Sequence, residues 1–485
     1  MTGVEAALMS AAVIVGASVA GLATALALAQ HGRRVLILER ASPPPLGPVA
    51  EAAGRWRRGA VPQADHSHIL TSRGVGTLRD RAPDLLGMLD SAGGRLLDLT
   101  TALPPTAAGP RREPPDAELV ALACRRSLLE LVLYRYVTGL AGVRVEHGVT
   151  VTGVERGVGG RLTGVTTASG RFGAQIVVDA SGRAGAARGW ITTAGLPVPP
   201  DQVRPAGLRT FSRFYQRGDG QLGPLNRGNA AGLVSGHYAG VLHPADGNIF
   251  SIALGSLPED RALRALHDPP SFTAVARSTP WVRDWLADGS VTPLTPIRAA
   301  TGPDNVLRGV AVASQSPLAG LFPVGDAACT TNPLYGRGMS LALAHAFALA
   351  DVLAGAPGAD LRGAGAAGLA DALYRPWFEQ SAIDDAERVA GWRAAAGLPA
   401  TPAAPTVPAR PAGRPALAEI GAAAASDAAV WRGFTRVMMG LRSPTDVFDD
   451  PDFRRRVRDA QPAPAARPPG PRRGDLLAAL AQAAA

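Results

Sequence analysis

Lysine is absent. All 49 Lys-or-Arg positions of the 485-residue chain are arginine, and against 40 acids they leave a net charge of +9. The absence excludes Schiff-base chemistry of the pyridoxal phosphate kind, which needs that amine. Cysteine is nearly absent as well. Cys124 and Cys329 are too few and too far apart for a disulfide framework or a zinc cluster, and they point to a reducing, cytoplasmic setting. Aromatic residues make up only 5%. The arginines are scattered singly or in pairs among apolar residues, whereas a nucleic-acid surface clusters them and interleaves aromatics, so no nucleic-acid partner is expected. What the chain has in quantity is apolar material, 46% of its residues. That is enough for a large core and about three domain-sized units.

The stretch AAVIVGASVAGLATALALAQ, residues 11–30, is apolar enough to be an export signal or a membrane span. A signal peptide needs basic residues before its apolar core, and the only early charge is Glu5. A span of about 20 residues fits by length, but the internal order decides against it. Ala12-Val13-Ile14-Val15 reads as a β-branched strand, the small residues 16–21 as a turn, and Leu22 to Gln30 as an Ala/Leu helix that ends at His31-Gly32. A second strand, Val35 to Leu38, closes on Glu39. This is a βαβ unit, and no membrane span is expected. Gly16 permits the tight turn, Gly21 lets helix and strand pack closely, and the helix N-terminus offers unpaired N–H groups to a pyrophosphate. Glu39 is placed to accept hydrogen bonds from adenosine ribose hydroxyls, which argues against a 2′-phosphate. Ser18 replaces the usual middle glycine, and its hydroxyl is expected to donate to phosphate. A nucleophilic-serine reading, G-x-S-x-G, fails because Ala20 holds the place of the second glycine and no Asp and His partners can be named.

Far downstream, LFPVGDAACTTNPLYGRGMSLALAHAFALADVL, residues 321–353, puts a lone carboxylate, Asp326, at the end of an apolar strand. A loop from Asn332 to Gly338 then opens a long helix at Met339. Together these motifs resemble the FAD-dependent monooxygenases of the para-hydroxybenzoate hydroxylase-type fold. Over about the first 350 residues, the dinucleotide turn is Gly16, Ser18, Ala20 and Gly21 with Glu39 and Arg40. The middle motif is VVDASGR, residues 177–183, after a β-meander over 143–176. The Gly-Asp motif is Gly325-Asp326, followed by Pro333, Gly336, Gly338 and Met339. The resemblance implies that Arg126, ahead of a Leu-rich helix, contacts the flavin (Arg125 if the register slips by one), and that Val151 meets the adenine through its backbone. It implies that Asp326 takes the ribityl hydroxyl, and that the helix after Gly338 faces the N1–C2=O edge, where its positive end suits reduced flavin. Within the family, residues 59–86 and NPLYGRGMS are most similar to bacterial secondary-metabolism flavin epoxidases and hydroxylases. Flavin-dependent halogenases share the fold but use a tunnel lysine, which this chain lacks. The middle motif departs from many single-component hydroxylases, with Ala180 where they have glycine, so NAD(P)H supplies electrons either directly or through a separate flavin reductase.

The resemblance implies an α/β fold: a Rossmann-type FAD-binding domain with a central parallel sheet and β-meander, interleaved with a β-sheet substrate domain. We place 1–70, 123–189 and 318–355 in the first domain and 71–122 and 190–317 in the second. A helical C-terminal region is expected over 356–459, with a Pro/Ala linker near 397–415, then a flexible tail over 460–485. Strand-like runs lie at 208–215, 232–242 and 248–254, and a helix surrounds Trp281 and Trp285, which stand one turn apart as a core pair or a ligand wall. His66 and His68 are the acid–base candidates: at i, i+2 they face the same way on an extended segment, and imidazole titrates near neutrality. The pair names no further ligands for a metal. The expected reaction is oxygen activation at the flavin C4a carbon and transfer of one atom of O2, by epoxidation or hydroxylation, to a hydrophobic metabolite such as a polyketide, terpenoid or aromatic. The alternatives are an FAD-dependent reductase or dehydrogenase acting on a carbon–carbon double bond, and a non-catalytic flavin-fold assembly partner.

Overall fold

The computed structural model describes residues 12–484 except 60, 62, 105–111, 158–159, 219–221, 288, 315–317, 357, 401–408 and 461–469. The opening βαβ unit forms as its pattern requires: β1 (Ala12–Val15), α1 (Val19–Gln30) and β2 (Val35–Glu39). Next come α2 (Ser72–Arg81), α3 (Pro83–Ser91), α4 (Arg126–Thr138) and β3 (Val143–His147). An antiparallel meander, β4 (Val151–Arg156), β5 (Leu162–Thr167) and β6 (Gly170–Gly173), leads to β7 (Val177–Asp179).

The second unit is an antiparallel sheet. It holds β8 (Arg209–Gln216), β9 (Ala231–Val234), β10 (Ala239–Pro244) and β11 (Ile249–Ser256), with the short β12 (Thr292–Pro293) and β13 (Arg298–Thr301) both paired to β8. The chain then returns through β14 (Leu321–Pro323) to complete a parallel sheet of order β14-β7-β1-β2-β3. It ends in helices α5 (Gly338–Gly355), α6 (Ala359–Ala395), α7 (Leu417–Ala423), α8 (Ala428–Met438) and α9 (Arg473–Ala484).

Side chains of the parallel strands alternate between two cores, as a sheet covered on both faces demands. Ala12, Ile14, Val35, Ile37 and Val178 pack against α1, α4 and α5. Val13, Val15, Leu36, Leu38 and Val177 pack against the meander and Trp190. Helix α5 is long and apolar enough to cross a membrane, with a mean hydropathy of 1.5. Its Leu343, Phe347, Leu349 and Leu353 are instead buried in the first of these cores.

Two assignments change. Val75, Leu78, Leu85 and Leu89 place α2 and α3 in the same core as α1, so residues 72–91 belong with the dinucleotide fold rather than with the substrate sheet. Of the tail expected to be flexible, 461–469 lie outside the described residues. Residues 473–484, however, form α9, which buries Leu476 and Leu480 against Phe272 and Val275 and ties Arg473 to buried Asp260 at 2.7 Å. Of the Pro/Ala linker near 397–415, 401–408 lie outside the described residues, and α6 runs through Ala395 to just before it.

Candidate active site

The turn after β1 shows why its glycines are needed. Gly16 has φ +106°, and a Cβ there would sit 2.6 Å from the Ala180 carbonyl oxygen; at Gly21 a Cβ would sit 1.9 Å from the Gly16 carbonyl oxygen. Any side chain at either position would drive α1 off the strand. Glu39, 6% exposed, accepts Ala17 N–H at 2.7 Å and Ala41 N–H at 2.8 Å, one on each carboxylate oxygen. This holds the carboxylate at the cavity wall with a second lone pair free on each oxygen.

Ser18 departs from expectation. Its Oγ–H donates to Glu130 Oε1 at 2.8 Å and the oxygen accepts from Arg126 Nη2 at 3.1 Å, so the hydroxyl organises neighbouring charges instead of pointing at phosphate. Glu130, fully buried on α4, also accepts from Arg126 Nε at 2.8 Å and from Arg58 Nη1 at 2.5 Å. Burial works to raise the Glu130 carboxyl, but Arg126, Arg58 and the Ser18 hydroxyl outweigh it and hold it below the usual range. Two buried guanidinium groups thus share Glu130 beside the N-terminus of α1, and Arg58 also lies 3.8 Å from Glu39.

One cavity of about 1190 Å³ runs from this turn past Val151, Arg183 and Asp326 to the loop holding Pro333, Gly336, Gly338 and Met339. It continues to the sheet β8–β11 and to a wall of C-terminal helices. Single-ligand sites run to about 1,000 Å³, so this volume has room for a dinucleotide and a second molecule. Arg126, Arg40 and Ala20 line it too. Gly325 presses against Ala20 just behind it, where a Cβ would come within 2.8 Å of the Ala20 Cβ.

Asp326 Oδ2 accepts from Gln63 Nε2 at 3.3 Å and lies 3.7 Å from Arg183 Nε. Asp179 is not a cavity group: fully buried, it accepts the N–H groups of Ser181 and Ala187 and shapes the loop that carries Arg183. Six described residues of the wall, Arg58, Gln63, Thr71, Arg183, Arg337 and Arg388, each keep one buried polar atom without a hydrogen-bond partner. Buried polar atoms are satisfied by protein, water or ligand in nearly all cases. A polar, doubly anionic dinucleotide therefore fits this donor set.

The histidine pair divides. Residues 63–65 form a turn, not an extended segment, and the Gln63 carbonyl accepts both His66 N–H at 3.2 Å and His68 Nε2–H at 2.7 Å. Burial, and then Arg126, push the His68 imidazole down to about 3, so it is a neutral structural donor and not an acid–base group near neutrality. His66 instead faces the substrate sheet, with Nδ1 3.0 Å from Ser212 Oγ, and is lowered by burial and by Arg183.

Sequence reasoning missed what lies beside it. Ser67 Oγ is 2.8 Å from His243 Nδ1 and 2.7 Å from Ser251 Oγ, and burial brings His243 down to about 4. His243 and Ser251 are cross-strand partners, and Ser212 pairs with Ala253 two residues along, so strand alternation puts all four on the cavity face. A histidine inside the apolar run GVLHP was the available signal.

Trp281 and Trp285 part company as well. Trp281 has φ +68° and caps a short helix, lining the cavity, while Trp285 is core and donates Nε1–H to the Pro224 carbonyl. Opposite them, α7 and α8 present Leu417, Trp431, Phe434, Met438 and Met439. Arg432 and Arg436 clamp α8 to fully buried Asp116.

Known proteins bear out the resemblance at the level of fold. Residues 14–45 match the NAD(P)-binding Rossmann-like domain model. Protein Rv3254 of Mycobacterium tuberculosis is 28% identical over 356 residues, 68% of this chain and 70% of its own. PqsL, a probable FAD-dependent monooxygenase from Pseudomonas aeruginosa, superposes with a TM-score of 0.57 at 17% identity, over 79% of this chain and 97% of its own. A flavoprotein/dehydrogenase from Cytophaga hutchinsonii superposes with a TM-score of 0.61 at 14% identity, over 93% and 98%.

Proposed function

We propose that the chain is an FAD-dependent monooxygenase that adds one atom of O2 to a hydrophobic small molecule, by epoxidation or hydroxylation, with electrons from NAD(P)H taken directly or through a reductase. One observation carries the reading: a single cavity joins a dinucleotide turn, a Gly-Asp loop and a mostly apolar chamber. Arg58, Arg126 and the N-terminus of α1 would hold the pyrophosphate, Glu39 the ribose, Val151 the adenine, and Asp326 the ribityl chain. The N-terminus of α5 would face the flavin's anionic edge. Bound flavin supplies the electron pair and the activation of oxygen.

The chain's own residues then do three things. Trp431, Phe434, Met438 and Met439 exclude water from the reacting centre. The strand face carrying Ser212 and His243 orients the substrate. His66, lowered but within reach of neutrality, accepts protons; His243, brought down to about 4, stays a neutral partner that orients Ser67: with its proton on Nε2, Ser67 donates to its Nδ1 and keeps a lone pair toward a substrate O–H. A hydrophobic secondary metabolite suits that chamber.

The test is an anaerobic visible spectrum of the purified protein before and after NADH or NADPH, followed by turnover under ¹⁸O₂. Yellow protein whose product carries the label is the expected result. An unlabelled product from a competent flavoprotein favours the dehydrogenase reading, and protein that cannot be loaded with FAD overturns both.

A further inference from the structure

Four acids line the cavity, and three have a cation within salt-bridge distance: Glu39 with Arg58 at 3.8 Å, Asp326 with Arg183 at 3.7 Å, and Glu387 with Arg410 at 3.0 Å. The fourth, Asp384 on α6, has none among the described residues, although it is only 8% exposed. Its Oδ1 accepts from Gln380 Nε2 at 2.8 Å, and Gln380 is itself oriented by Arg414, which donates to its Oε1 at 2.8 Å and pairs with Asp449.

The nearby arginines make their direct contacts elsewhere, although the Arg337 charge reaches Asp384. Arg337 is held between the Tyr335 and Trp377 rings, 4.7 and 4.9 Å away, with Nη2 on Ser381 Oγ. Arg388 pairs with Asp385 at 3.1 Å and donates to the Ala206 and Gly207 carbonyls. Asp384 thus lines the cavity with no hydrogen-bond partner on its Oδ2 among the described residues. Trp392 lies two turns further along the same face of α6, so the carboxyl stands beside apolar surface.

We propose that Asp384 anchors a basic nitrogen, so that the substrate is a hydrophobic amine whose ammonium pairs with this carboxylate. The inference rests on the reading of this chamber as the substrate site. Burial raises the Asp384 carboxyl to about 7 against the pull of the Gln380 hydrogen bond and the Arg337 charge, which makes the anion costly, and a bound ammonium supplies the contact partner that no described side chain does.

The test uses FAD-loaded full-length protein at pH 7.5, titrated with 2-naphthylmethylamine and its uncharged counterpart 2-naphthylmethanol and followed by tryptophan quenching. The amine is expected to bind at least tenfold more tightly than the alcohol. Asp384→Asn keeps the Gln380 contact and is expected to bring the two within threefold at unchanged flavin content. Glu387→Gln, which removes one charge from the same helix face, is expected to keep the preference, and Asp384→Glu to keep part of it. Equal binding of the two probes, no saturable binding of the amine, a preference that survives Asp384→Asn, or loss of FAD in that variant would each overturn the assignment. An Asp384-dependent preference in a chain that takes up no flavin would uphold the anchor and sink the flavoprotein reading instead.

Discussion

Glu130→Gln isolates the charge cluster under the dinucleotide turn. The substitution keeps the shape of the side chain and its acceptor toward Ser18 and Arg126, but it sets an amide N–H₂ against Arg58 Nη1 where a carboxylate oxygen lay at 2.5 Å. Arg58 and Arg126 are 3% and 8% exposed at their side chains. Breaking a buried pair by removing one partner costs about 3–5 kcal/mol. Arg58 retains Glu39 at 3.8 Å and the Ala17 carbonyl at 3.3 Å, which places the cost near 3 kcal/mol on that scale. At about 2 °C per kcal/mol for a large chain, the melting temperature without flavin should fall by roughly 6 °C.

In the proposed binding mode FAD brings two phosphate charges to the same guanidinium groups, so the deficit in FAD-loaded protein should be less than half as large. The pH dependence has a definite sign. The Glu130 carboxyl is held below its unfolded value, so its contribution is present at neutral pH and is lost as pH falls through the folded value. The gap between native and variant should therefore close as the pH is lowered from 7 toward 3. Differential scanning fluorimetry with and without FAD measures all three effects. A variant within 1 °C of native, or an equal deficit in both forms, would refute the argument that this carboxylate neutralises the phosphate-binding arginines.

Asp326→Ala should abolish stable flavin uptake, read as the 450 nm absorbance that survives gel filtration; unchanged flavin content would disprove the placing of Asp326 on the ribityl chain. Gly21→Ala forces a Cβ to 1.9 Å from a backbone oxygen and should give protein that is either insoluble or free of flavin; a yellow, folded variant would show that α1 can move aside. Ser67→Ala and His243→Ala should each lower kcat/KM by about tenfold, the worth of one positioning hydrogen bond, while flavin content holds, and the double variant should be no worse than either single one. Multiplicative losses would mean that the two side chains do not act as one unit.

The parts of the site legible in the sequence are those whose geometry is local. A strand, a small-residue turn and a helix within 30 residues leave Gly16 and Gly21 few alternatives, and the same holds for Gly325-Asp326 and the Gly336–Gly338 loop ahead of α5. The parts that were missed are contacts between distant segments. Glu130 stands four residues after Arg126, a charge inside a leucine-rich helix, yet its role depends on Ser18, 112 residues away. His243 meets Ser67 across 176 residues.

Two local readings failed for a different reason, because each assumed an ideal backbone. The i, i+2 spacing predicts His66 and His68 as extended neighbours, but the turn at Gln63 bonds His68 back to its carbonyl. The i, i+4 spacing predicts Trp281 and Trp285 one helical turn apart, but the positive φ at Trp281 starts the short helix only after it. Both breaks fall in the cavity wall, where a regular element would aim both side chains the same way. Each break instead turns the two members of a pair to different partners: His66 to Ser212 and His68 to the Gln63 carbonyl, both in the cavity wall, and Trp281 to the chamber while Trp285 packs in the core. Departures from ideal geometry therefore mark the residues that face the ligand. By the same logic Trp281→Gly, which accepts the positive φ, should relax substrate selectivity with little loss of stability. Trp285→Ala, which empties a core site, should cost about 3–5 kcal/mol. Equal destabilisation by the two in a thermal melt would show that Trp281 belongs to the core after all.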